Sequence, residues 1–189
     1  MQASFGTRSG PRRHRATTSL LVIATLLASS AGSVQTAAGA TLTFTASADA
    51  YVSSAAKTTN YGSATTLLFG ATPSQHAYLM FNVTGAGSIT NATLRVWATA
   101  AGTGASVHAT TTGWTESGLI YTNAPTYGAT LATVSGFAAG TWLTYNVTSL
   151  VTANGLVAFM YTSASSTPLS IAAREDATHA PQLVVTRGP

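Results

Sequence analysis

About ten short runs of alternating apolar and polar residues, each bounded by Gly, Ser, Asn or Pro, constrain this chain more than any other feature. They fall at residues 42–46, 49–52, 67–69, 76–83, 92–99, 106–110, 141–147, 156–162, 169–175 and 183–186. Period-two alternation places successive side chains on opposite faces of an extended strand, so one face of each run can be buried. Many such strands at regular spacing predict an all-β fold, an antiparallel β-sandwich of jelly-roll type. The only helical segment expected is about one turn near residues 148–153, stopped by Asn154-Gly155.

The first forty residues follow a different pattern. Arg8, Arg12, Arg13 and Arg15 precede the apolar run LLVIATLLA at 20–28, and small residues lead to Ala38-Gly39-Ala40. That order is the signature of a secretory signal peptide with an A-x-A cleavage site. The apolar run is far shorter than the roughly 20 residues that span a bilayer. The expected organisation is therefore a signal peptide at 1–40 and one domain at 41–189, secreted and free of the membrane after cleavage.

Cleavage also changes the charge balance. The chain has eight Lys and Arg against four Asp and Glu. Half of the basic residues belong to the signal peptide. Lys57, Arg95, Arg174 and Arg187 are then balanced by Asp49, Glu116, Glu175 and Asp176. No clustered basic footprint is left for nucleic acid.

Catalytic signatures are sparse. Cysteine is absent, which removes thiol nucleophiles and thiolate metal sites. No G-x-S-x-G elbow occurs. Glycoside hydrolysis normally uses a pair of carboxylates flanking the bond, and only Asp49 at a strand start, Glu116 in a loop and the adjacent Glu175-Asp176 at the expected end of the penultimate strand are available. The histidines His76, His108 and His179 lack the spacing of a zinc site. The fold requires no cofactor, although loops containing Asp49 or Asp176 have the oxygen chemistry for a structural calcium ion.

Aromatic residues carry the strongest functional signal. Sugar rings present apolar C–H faces that stack on flat side chains, while their hydroxyls need polar partners. Alternation points Leu79, Phe81 and Val83 inward, leaving His76, Tyr78, Met80 and Asn82 outward. In the same way Arg95, Trp97, His108, Trp142, Thr144 and Asn146 face outward. Trp97, Trp142, Tyr78, His108 and Arg95 are the expected carbohydrate contacts on strands, joined by Tyr61, Trp114 and Tyr127 in loops, where Tyr121 is a further aromatic candidate. Trp114 could also cover a sheet end.

Several pieces, in order, carry a resemblance: ADAYV (48–52), NYG (60–62), AYLMFNV (77–83), ITNATLRVWAT (89–99), WTESGLIYTNAP (114–125), TWLTYNVTSLV (141–151) and AREDATHAPQLVV (173–185). Over essentially all of residues 41–189 the chain resembles carbohydrate-binding module family 96, the DNRLRE-type domains. The resemblance implies a jelly roll that grips polysaccharide without catalysis. Where such domains often carry Arg and two Asp, this chain has His76, Asn82 and Asn146. The expected function is thus a secreted, non-catalytic module whose partner is a polysaccharide. The alternative is a structural or adhesive cell-surface module, and the third reading is a polysaccharide lyase or hydrolase.

Overall fold

The computed structural model describes residues 39–189; the signal-peptide expectation at 1–40 falls almost wholly outside them. The described residues form eleven strands and no helix: β1 (Thr41–Thr45), β2 (Ala48–Ser53), β3 (Thr66–Phe69), β4 (Gln75–Val83), β5 (Ile89–Ala98), β6 (Ala105–Thr110), β7 (Thr130–Val134), β8 (Thr141–Asn146), β9 (Gly155–Thr162), β10 (Leu169–Ala172) and β11 (Gln182–Arg187). They build the expected antiparallel β-sandwich. One sheet runs β2-β4-β9-β6-β7. In the other, β5 is central: β8 lies along one side, and β11 and β10 pair with the other, carrying β1 and β3 respectively.

Inward residues follow the alternation. Leu79, Phe81 and Val83 of β4, Leu94, Val96 and Ala98 of β5, and Leu143, Tyr145 and Val147 at β8 all enter one buried cluster between the sheets. Burial of such side chains contributes about 1.5–3 kcal/mol each. Three details depart from the sequence reading. Strand β7 was not expected. Residues 147–151 make only a hydrogen-bonded turn, with the Val151 N–H donating to the Val147 carbonyl at 3.1 Å. Strand β10 ends at Ala172, so Glu175 and Asp176 lie in the following loop.

A second cluster forms on the outer side of the β2-β4-β9 sheet. Across these strands Ala50 is in register with Tyr78 and Tyr78 with Met160; likewise Ala48 with Met80 and Met80 with Ala158. Trp114 and Leu119, from the long β6–β7 connection, pack onto these side chains. The connection is pinned by the loop that precedes β3. Asn60 Nδ2 donates to the carbonyls of Glu116 at 2.7 Å and Leu119 at 2.8 Å. Gly62 passes so close that a Cβ there would collide with the Glu116 carbonyl.

Candidate functional site

Apart from Tyr61, the expected contact residues separate onto two opposite outer faces. On the β5–β8 face, Trp97 and Trp142 are in register and meet edge-to-face at 5.5 Å between centroids. The Arg95 guanidinium stands 4.6 Å from the Trp142 ring centre, and its Nη1 donates to Gln182 Oε1 at 3.1 Å. His179, from the β10–β11 loop, stacks on Trp97 at 4.0 Å and 15°. One face of Trp97 is therefore taken by protein. The sequence reading missed His179, because only the loop's path brings it over the strand.

On the other side lie Tyr78, His108 and Tyr127. Here strand alternation gave direction correctly but exposure incorrectly. Tyr78 and His108 do point away from the main core, yet both are buried, as is Trp114. The Tyr78 hydroxyl donates to the Pro125 carbonyl at 2.8 Å, and its ring meets Trp114 edge-on at 5.9 Å. The hydroxyls of Thr162 and Thr130 lie 2.8 and 3.1 Å from the two ring nitrogens of His108. These three side chains support a surface and do not offer ring faces to it. Burial holds His108 below the usual histidine range. His76 is lowered as well, by burial first and by neighbouring His108 second.

Beside Tyr78 is a cavity of about 460 Å³, within the size range of small-ligand sites. His76, Tyr78, Tyr121, Thr126, Tyr127 and Met160 contribute to its lining. Tyr127 is 54% exposed, with its ring centre 4.5 Å from that of His108. Tyr121, one of the aromatic candidates in loops, packs against the second cluster. Tyr61 lies apart from this cavity, stacked on Tyr51 at 4.2 Å.

A third grouping sits at the open edge between the sheets. Asp49 alternates with outward Ala48 and Ala50, so it points between the sheets from edge strand β2, and it is fully buried. Its Oδ2 accepts the Arg174 backbone N–H at 2.7 Å, while Oδ1 has no partner. Burial pushes this carboxyl up to about 7, against the lowering effect of the Arg174 N–H. Arg174 Nη1 donates to Glu116 Oε2 at 2.6 Å, and its Nε lies 3.9 Å from Glu175 Oε1. Asp176, the other expected calcium ligand, instead accepts the N–H groups of Thr178 and His179 at 2.8 and 3.0 Å, closing a turn.

A two-sheet scaffold that presents aromatic rings beside hydrogen-bonding groups on its outer faces defines a recognition module of the β-sandwich class. The chain belongs to carbohydrate-binding module family 96, whose family model matches residues 40–187. A search of curated proteins returned no significant match. The chain is thus a carbohydrate-binding module.

Proposed function

We propose that the protein is exported and grips a polysaccharide, without catalysis, at the cavity beside Tyr121 and Tyr127. The observation that carries this reading is the exposed Tyr127 ring beside a cavity whose lining mixes aromatic, hydroxyl and imidazole groups. Such a lining can stack on a sugar face and hydrogen-bond to its hydroxyls. The Trp97–Trp142 face is the second reading, favoured by the Arg95 guanidinium held over an indole. The non-catalytic reading is supported by Asp49. Its carboxyl has the raised proton affinity a general acid needs, yet it is buried and does not line the cavity.

Affinity electrophoresis against a panel of polysaccharides tests the assignment. Tyr127→Ala should weaken retention by about 2 kcal/mol, or roughly thirtyfold, as for a central stacking residue, with melting unchanged. If Trp97→Ala or Trp142→Ala abolishes retention while Tyr127→Ala leaves it intact, the contact surface is the β5–β8 face. Release of new reducing ends from the retained polymer would rule out the non-catalytic role. N-terminal sequencing of the exported protein should begin at Thr41.

A further inference from the structure

We infer that Asp49, Glu116 and Glu175 form a binding site for one calcium-type divalent cation at the open edge of the sandwich. One carboxylate oxygen from each residue lies within 4.8 Å of the others. Calcium holds oxygen ligands at 2.3–2.6 Å, so two ligands of one ion can stand up to about 5 Å apart. Three side chains from distant parts of the chain therefore already fit within one coordination sphere.

The independent observation is the buried carboxylate. Asp49 is fully enclosed, and a buried polar atom without a partner is costly and rare in folded proteins. Its Oδ2 is satisfied by the Arg174 backbone, but Oδ1 is not satisfied by anything. Arg174 does not meet that need. Its guanidinium contacts both glutamates and the Ser47 carbonyl, at 3.2 Å for the last, and makes no hydrogen bond to Asp49. With Asp49 deprotonated, as coordination requires, three carboxylates and one guanidinium leave a formal deficit that a divalent cation neutralises. Glu116 belongs to the β6–β7 connection and Glu175 to the β10–β11 loop. A bound ion ties both to strand β2, bracing the segment that carries Tyr121 and Tyr127 and the one that carries His179.

Calorimetric titration of the chelator-treated protein with calcium chloride tests the site and reads nothing from glycan binding. One ion per chain is expected, with a dissociation constant on the order of 10⁻⁴–10⁻³ M, the range of extracellular calcium modules. Glu175→Gln, at a partly exposed position, should weaken binding about tenfold or more, because affinity follows ligand charge. Arg174→Ala should tighten it by removing the competing cation, and Asp176→Asn should leave it unchanged. Circular dichroism confirms that each variant is folded. The site is overturned if the folded wild-type protein shows no saturable binding up to about 10 mM calcium, well above that range. Undiminished binding in both Glu116→Gln and Glu175→Gln, or loss of binding in Asp176→Asn, overturns it equally.

Discussion

The two outer faces of the sandwich start from the same strand chemistry and end differently. On the β5–β8 face, Arg95, Trp97 and Trp142 remain partly exposed, and His179 is the loop residue that stacks there. On the β2-β4-β9 face, Tyr78, Met80 and Met160 point outward in the same manner but are covered by the connection that carries Trp114 and Leu119. Alternation determines which way a side chain points. Whether it meets water is decided by where a distant loop lies. The covered face gains a second small core, and the rim of its cover gains a cavity.

The largest expected effect separates the two kinds of tryptophan. Trp114→Ala should cost about 3–5 kcal/mol in urea denaturation, as for a buried large-to-small change, and should remove the cavity together with its cover. Trp142→Ala, partly exposed, should cost less than half of that. Equal losses would mean that the two faces are equally part of the core.

A smaller effect is expected where the cover is pinned. Gly62→Ala places a Cβ against the Glu116 carbonyl, and overpacking of this kind costs about 1–3 kcal/mol. Asn60→Ala leaves the Glu116 and Leu119 carbonyls without their side-chain donor, at about 1–3 kcal/mol if neither is rehydrated. Hydrogen exchange should then rise at 114–119 while β5 and β8 stay protected. Uniform loss of protection would show that the cover and the main core unfold as one unit.

The smallest effect is a pH dependence confined to the covered side. His76 and His108 titrate below the usual histidine value in the folded protein, so the folded state holds fewer protons than the unfolded chain. Their neutral forms contribute stability that is fully present above about pH 6.5, the unfolded value. It is lost as the pH falls through the lower folded values. The neighbouring titratable groups are the tyrosines Tyr78, Tyr121 and Tyr127, of which Tyr78 is held above the usual tyrosine range by burial. Asp49, with its carboxyl raised to about 7, works in the opposite direction over the same range. The histidine contribution is therefore read against the variant: from pH 7 to pH 5 the melting temperature of the wild type should fall relative to that of His108→Gln.

Much of the fold was legible from the strands and little of the site was. Runs such as AYLMFNV announce β4 because apolar residues recur every second position. Strand β7 was hidden because in TLATV Leu131 and Val134 are three apart, and its partner β6 shifts register between Val107 and His108. Sequence could nominate Tyr127 as an aromatic loop residue, but not show that Tyr78 and His108 would be buried beneath that loop. The Asp49, Glu116 and Glu175 grouping was less visible still. Its members lie in three separate connections or strands, and only the closed sandwich brings them together.

The pairing of β1 with β11 has a consequence in time. Thr41 is in register with Thr186, and β11 is also the strand that joins β1 to β5. A chain delivered from its N-terminus presents β1 first, with no partner until nearly everything else has emerged. The sheet can then close only at the last moment, so the polypeptide is expected to remain a flexible thread throughout delivery. Nascent chains of increasing length should accordingly stay protease-sensitive until residue 187 is free, and resistance appearing well before that point would disprove such late closure. Under the export proposed above, that delay would keep the chain narrow enough to pass through a translocation pore.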